Sequence, residues 1–255
     1  MFNRVFGVAL NTFRESLRDR VLVALIVTAI VVMAGAKVIQ PVAMGEADKI
    51  IKDLGLSAIT LFCVLIAVLV GGRIVYREVE KRTIYLILAR PVRRLEFILG
   101  KYLGLMAVLV LSLLIMTAGF YLILLISRVS VTLYLLWAVL MTAFELALLT
   151  AVAVFFSTFV TPIASSVFTF IIYFIGHSTY LLKQLAAMSP VPAIKFLGVV
   201  LYYILPNLGN FNIRGDVVYG VPLNPQALVL SALYGLVYSL TLLLIAVMIF
   251  NRKDF

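Results

Sequence analysis

Residues 54–72 have the sequence LGLSAITLFCVLIAVLVGG, a run of 19 residues without a charged side chain. At a rise of 1.5 Å per residue, a helix of this length extends about 28 Å, close to the ~30 Å hydrocarbon core of a bilayer. Five further apolar runs approach or exceed this length, at residues 21–39, 102–127, 131–160, 162–182 and 226–250. The sequence therefore predicts an all-α, polytopic membrane protein with six transmembrane helices.

The composition of the 255-residue chain agrees with a membrane protein. Hydrophobic residues make up 64% and charged residues 13%, whereas a soluble domain has about 25% charged residues. We expect a single transmembrane domain over residues 1–255, embedded in a lipid bilayer. The net charge is +10, but the basic residues flank apolar runs and set their orientation, so we do not predict binding to nucleic acid. Cys63 is the only cysteine, which excludes an internal disulfide bond.

The distribution of lysine and arginine predicts the orientation, because basic residues are retained on the cytoplasmic side. With six spans and a cytoplasmic N-terminus, 14 of the 21 basic residues lie in the cytoplasm, and eight of them lie between the second and third spans. We therefore predict that both termini are cytoplasmic.

Two segments outside the spans have their own patterns. Residues 1–20 place three phenylalanines and four aliphatic residues at helical spacing, which favours an interfacial helix over a simple basic flank. Residues 183–224 contain four prolines, and we expect short helices on the extracytoplasmic side. Within them, residues 196–205 are apolar but too few to span, so they either dip into the membrane or lie on it.

The sequence offers little for catalysis. His177 is the only histidine, which excludes zinc sites with two histidines. Gly100 and Lys101 precede Tyr102 rather than the serine or threonine of a phosphate-binding loop. We therefore predict no catalytic, cofactor-binding or metal-binding residues and no enzyme activity in this chain. His177 itself is predicted to lie near the outer interface rather than in a proton relay.

Glu145 lies near the middle of the fourth predicted span. A carboxylate at that depth costs about 2.5–3.5 kcal/mol on insertion scales, so it should face the protein interior or a wet cavity. Two interpretations remain open. Glu145 contributes to a substrate path, or it is a structural carboxyl group hydrogen-bonded through Thr142, which lies one turn earlier on the same face.

The loop between the second and third spans is predicted to contain an amphipathic helix. Ile84, Ile87 and Leu88 form an apolar side, and Pro91 ends the helix because proline forces the preceding residue out of the helical region. Such a helix either docks a soluble partner or lies on the lipid headgroups.

Residues 78–101, EVEKRTIYLILARPVRRLEFILGK, carry a resemblance to a known family. They resemble the signature of bacterial ATP-binding-cassette (ABC) exporter permeases of the type-2 class. Residues 9–15, ALNTFRE, and 156–162, FSTFVTP, also resemble that class, in particular its nitrous-oxide-reductase maturation (copper-processing) branch.

The resemblance implies a permease subunit of an ATP-driven exporter in the bacterial cytoplasmic membrane. It implies a partner ATPase that binds ATP and Mg²⁺, and a second permease copy that forms a homodimer. Residues 78–101 would be the coupling region, with residues 78–89 as the coupling helix. The residues expected to couple to the ATPase are Glu78, Glu80, Lys81, Arg82, Thr83, Leu86, Ile87, Arg90 and Pro91.

Two alternatives without an ATPase remain at this point. One is a proton-coupled secondary carrier or channel in which Glu145 titrates. The other is a membrane assembly scaffold whose cytoplasmic helix binds a different soluble protein.

Overall fold

The computed structural model describes residues 2–39, 46–75, 93–189 and 191–252, and every regular element within them is helical. The longer elements are α1 (Phe2–Leu17), α2 (Arg20–Ile39), α3 (Ala47–Gly71), α4 (Arg94–Ile126), α5 (Leu135–Ser157), α6 (Pro162–Met188), α7 (Pro192–Ile204) and α9 (Pro225–Asn251). Between α7 and α9 lie a 3₁₀ helix (Leu208–Phe211) and the short α8 (Arg214–Tyr219).

Five helices in the described residues are long and apolar enough to cross a membrane, namely α3, α4, α5, α6 and α9. Two bent pairs raise the number to as many as seven. One joins α1 to α2 at 63°, and the other joins α7 to the segment that ends with α8 at 47°. The prediction of an all-α, multi-pass architecture is confirmed, and the count of six spans stays a prediction.

Several helix ends differ from the predicted ends. Helix α3 begins at Ala47, seven residues before the predicted span, because the prediction counted only the uncharged run and the first two turns of the helix carry charges. One of these charges, the Nζ of Lys52, donates a hydrogen bond to the Ser130 hydroxyl at 2.8 Å. Helix α5 covers only Leu135–Ser157, and the turn that precedes it contains Arg128 with a left-handed φ of 56°.

Helix α1 packs against the first turns of α4 through two glycines. A Cβ atom on Gly100 would lie 2.6 Å from the Cβ of Val8, and one on Gly104 would lie 2.6 Å from the backbone oxygen of Ala9. Small residues four apart let two membrane helices approach this closely. Thr12 is buried in this contact, whereas Phe6 is 60% exposed. Of the apolar face predicted for residues 1–20, Ala9 and Phe13 therefore contact the bundle, while Phe6 is mostly exposed.

Residues 206–219, which we call the re-entrant segment, enter the bundle from the same end as α7. Leu208 and Phe211 are buried. A Cβ atom on Gly176 of α6 would lie 2.8 Å from the Cγ of Leu208, and one on Gly235 of α9 would lie 2.8 Å from the Cζ of Phe211. Both glycines lie about three turns, roughly 15 Å, from the nearer end of their helix. The segment therefore reaches about half-way into the bundle.

The location of this insertion differs from the sequence-based expectation. We expected any dip into the membrane within residues 196–205, most of which belong to α7. In the structure α7 leaves most of its side chains exposed and buries Gly198 against Ala186 of α6. The inserted residues come after α7, where Pro206 and the following turn redirect the chain.

Candidate functional site

Polar side chains from four helices meet at the depth reached by the re-entrant segment. We call this group the polar cluster. It consists of Ser57 and Thr60 on α3, Thr142 and Glu145 on α5, Tyr173 and His177 on α6, and Arg214 on α8. The cluster combines one acid, the only histidine and one arginine in a bundle whose other interior residues are mostly apolar.

Glu145 and His177 form the centre of the polar cluster. Glu145 is 2% exposed, and its Oε1 lies 2.8 Å from the Nε2 of His177. The imidazole is only partly buried, and its ring meets the ring of Tyr173 edge-on at 4.8 Å between centroids. A hydrogen-bonded partner lowers the cost of a carboxyl group in the bilayer interior. The pair thus explains how Glu145 is accommodated.

Thr142 is buried but is not the partner of Glu145. Its Oγ1 donates to the backbone oxygen of Ala138 at 2.9 Å and lies 3.4 Å from the Oγ1 of Thr60. The hypothesis of a Thr142–Glu145 hydrogen bond is therefore wrong. His177 lies beside Glu145, and its depth relative to the membrane interface stays a prediction. The sequence did contain a signal for the Glu145–His177 pair, because the only histidine of the chain and a single acidic residue lie on consecutive predicted spans.

Arg214 reaches the polar cluster from the re-entrant segment. Its Nη1 donates to the Ser57 hydroxyl at 2.9 Å, and its Nε donates to the Oδ1 of Asn212 at 3.0 Å. Tyr173 lies within electrostatic range of both Glu145 and Arg214. Sequence reasoning counted Arg214 only as an extracytoplasmic basic residue. Its role in the bundle depends on the insertion of the re-entrant segment, which no local pattern reveals.

The side chains of the polar cluster are groups that donate and accept hydrogen bonds. Among the residues that the structure describes, no group of three or more histidine, cysteine, aspartate or glutamate residues is placed to hold a metal ion. Cys63 lies in the core, where its Sγ contacts the Sδ of Met116 at 3.7 Å. The cluster can bind a proton or a polar group of a solute.

The predicted coupling residues lie outside the described residues. These are Glu78, Glu80, Lys81, Arg82, Thr83, Leu86, Ile87, Arg90 and Pro91. The structure does describe the residues on either side of this segment, at the end of α3 and the start of α4.

The end of α3 is held by an ion pair and by close packing. Arg73 donates to Asp19 at 3.0 Å, and Asp19 also accepts from the backbone N–H of Val21 at the start of α2. A Cβ atom on Gly71 would lie 2.9 Å from the Cβ of Ala153, which shows how closely α3 approaches α5. The ion pair links the bend between α1 and α2 to Arg73, three residues before the undescribed segment 76–92.

The start of α4 is held by hydrogen bonds and by a contact between two aromatic rings. The backbone N–H of Arg93 donates to Glu96 at 2.9 Å. Arg94 donates from Nη1 to the backbone oxygens of Phe250 and Asn251, at 2.7 and 2.9 Å, and thereby caps the end of α9. Phe97 stacks on Phe250 with 5.8 Å between ring centroids. Both ends of the undescribed segment 76–92 are thus anchored in the bundle.

A family model described as "ABC-2 family transporter protein" matches residues 7–255. The chain belongs to this family. The ABC-2 chain is accordingly a multi-pass membrane component of an ABC transporter, rather than the subunit that performs the catalysis. Members of this family normally work with an ATPase subunit. The search of curated proteins gave no match to the chain.

Proposed function

We propose that this chain is the membrane-spanning permease subunit of an ATP-driven exporter. The observation that carries the proposal is the family match, which covers nearly the whole chain. Gly100-Lys101-Tyr102 lacks the serine or threonine of a phosphate-binding loop, so ATP and Mg²⁺ would bind to a separate ATPase.

Residues 78–89 are proposed as the coupling helix that docks this ATPase. The anchors on either side support this role. Arg73 is paired with Asp19, and Arg94 caps α9, so a displacement of the docked helix would pass directly into α3, α4 and α9. Pro91 would prevent the helix from extending to absorb the movement. Charges at Glu78, Glu80, Lys81 and Arg82 would orient the partner, and Leu86 and Ile87 would fill its cleft.

The branch of the family, the homodimer, the type of membrane and the direction of transport are proposed from sequence resemblance alone. Residues 9–15 and 156–162 favour the nitrous-oxide-reductase maturation branch, a homodimer of permeases and the bacterial cytoplasmic membrane. Export as the direction of transport also comes from this resemblance.

The proposed topology places both termini and residues 76–92 in the cytoplasm, because most basic residues lie there. A cysteine at Val221, which is 46% exposed in the turn between α8 and α9, should react with a membrane-impermeant maleimide added to intact cells. A cysteine at Arg93 should react only after the membrane is permeabilised. The buried native Cys63 supplies little background. The reverse labelling pattern would contradict the orientation.

The coupling assignment is tested by reversing two charges, Glu80→Lys together with Arg82→Glu. We expect at least roughly tenfold less co-expressed ATPase to co-purify with the permease, because like charges opposed at an interface cost several kcal/mol. Membrane insertion should be unchanged, since the proposed topology places both residues in the cytoplasm and outside the hydrocarbon.

The matched control is Glu46→Lys with Lys49→Glu, which reverses an exposed ion pair at the opposite end of the bundle. This variant should retain the ATPase. If the double variant at residues 80 and 82 keeps both the ATPase and its substrate-stimulated hydrolysis in vesicles, the helix is a lipid-surface segment and not a docking helix.

A further inference from the structure

Helix α1 presents two different surfaces besides the one that packs on α4. We propose that α1 binds anionic phospholipids of the leaflet at its end of the bundle, with Phe6 among the acyl chains and with Arg14 and Arg18 on the phosphate groups. This inference goes beyond ATP-driven export, because it needs neither the ATPase nor a transported substrate.

The packing of α1 on α4 fixes which sides of α1 face away from that helix. A Cβ atom on Gly100 or Gly104 would lie within 3 Å of atoms of Val8, Ala9 or Thr12. These three residues lie on one side of α1, because they are spaced by one, three and four residues. The other sides of α1 therefore point away from α4.

One of these sides is apolar, and we call it the apolar flank. It consists of Phe6, Leu10, Phe13 and Leu17, which follow one another at spacings of four, three and four residues. Phe13 packs against the hydrophobic core, whereas Phe6 is 60% exposed. The apolar flank thus extends outward from the core, as expected of an amphipathic helix that rests on acyl chains beside the bundle.

The other side is basic, and we call it the basic flank. Arg14 and Arg18 lie one turn apart on it, next to Asn11, and all three residues are exposed. Arg14 also borders the apolar flank, because it follows Leu10 by four residues and precedes Leu17 by three. An arginine at such a boundary lays its aliphatic stem along apolar groups and holds its guanidinium group at the level of the lipid headgroups.

The charges near the basic flank favour an anionic partner. Glu15 and Asp19 line a cleft beside Arg73, and Asp19 is paired with that arginine. Glu96 accepts a hydrogen bond from the backbone at the start of α4. Within the described part of the chain, the two arginines of the basic flank form no ion pair with an acidic side chain. Guanidinium groups one turn apart offer the paired N–H donors that suit phosphate oxygens.

The bend between α1 and α2 gives α1 a suitable direction. The two helices meet at 63°, so α1 does not continue the line of α2 across the bilayer. Asp19 holds this bend by accepting from the backbone N–H of Val21 while it pairs with Arg73. A helix inclined in this way runs along the interface, where its apolar flank meets acyl chains and its basic flank meets headgroups.

The first test places a fluorescent reporter on the apolar flank. Trp137 is the only tryptophan, so Trp137→Phe combined with Phe6→Trp leaves one emitting residue, on α1. The purified permease is placed in nanodiscs of phosphatidylcholine and phosphatidylglycerol at about four to one. Lipids brominated in the acyl chains should quench this tryptophan at least roughly twofold more than Asn11→Trp in the same background, which reports from the basic flank.

The second test measures the preference for anionic headgroups. The bromines are carried either by the phosphatidylglycerol or by an equal number of phosphatidylcholine molecules, so the overall lipid composition is identical. Brominated phosphatidylglycerol should quench Phe6→Trp at least roughly twofold more strongly, because anionic lipids gather at the two arginines. Arg14→Gln with Arg18→Gln should abolish this difference. The matched control, Arg128→Gln with Lys195→Gln, removes two exposed charges at the opposite end of the bundle and should preserve it.

Equal quenching by the two brominated lipids, without the arginine substitutions, would overturn the assignment of anionic headgroups. Phe6→Trp that is quenched by neither lipid, or no more than Asn11→Trp, would overturn the contact with the bilayer. If the emission of an unquenched Phe6→Trp instead shifts to shorter wavelength when the ATPase is bound, α1 is a docking surface for protein. The lipid measurements use the permease alone, so their outcome is independent of whether it exports anything.

Discussion

Glu145→Lys is expected to eliminate the folded protein. The substitution places an ammonium group beside His177, in the polar cluster that contains Arg214, and removes the only acid of that cluster. A charge buried without a partner costs several kcal/mol even after relaxation, and a second charge of the same sign nearby increases that cost. Fluorescence-detected size-exclusion chromatography of detergent extracts should show loss of the monodisperse peak.

Two control variants separate this effect from a general intolerance of substitution. Glu145→Gln keeps a hydrogen-bonding group next to His177 and should retain the peak. Glu15→Lys makes the same chemical change on the exposed face of α1 and should also retain it. A monodisperse Glu145→Lys protein would mean that residue 145 reaches water, contrary to its burial.

Gly104→Leu should displace α1 from the bundle. Even a Cβ atom at this position would lie 2.6 Å from the backbone oxygen of Ala9 and 2.6 Å from the Cβ of Thr12, so the backbone of α1 must move. Overpacking of this kind costs about 1–3 kcal/mol. At about 2–4 °C per kcal/mol for a chain of this size, the melting temperature in detergent should fall by several degrees.

The matched control is Gly119→Leu on the same helix. A Cβ atom at Gly119 would lie 3.5 Å from the side chain of Ile30, an ordinary contact that can adjust. Limited proteolysis should cut near the α1–α2 bend faster in Gly104→Leu than in Gly119→Leu. Equal melting temperatures for the two variants would show that the α1–α4 contact contributes little to stability.

The sequence alone predicted the class of fold. The hydrocarbon thickness fixes how many apolar residues a helix needs, so runs such as residues 54–72 identify spans without any tertiary information. Charged residues near the ends of these runs predicted the orientation, which the labelling experiment tests. Residues 78–101 carried the resemblance to type-2 permeases, and the family match supports that class for nearly the whole chain. These features are local, which is why the sequence was sufficient for them.

The sequence also predicted that Glu145 needs a favourable environment, but it did not identify the partner. His177 is 32 residues away and on a different helix. Which faces of α5 and α6 meet depends on close packing, and both helices are apolar on most sides. The only sequence-based candidate was Thr142, a neighbour on the same helix, and that choice was wrong.

The re-entrant segment shows the same division between local and tertiary information. Its prolines and the short apolar run at residues 196–205 indicated a segment that cannot span. The structure decided which part inserts, because Gly176 and Gly235 leave space for Leu208 and Phe211 at mid-depth. That insertion brings Arg214 to Ser57 and completes the polar cluster. Local sequence determined which helices form, and only the packing of glycines against large side chains on distant helices determined which charges share the interior.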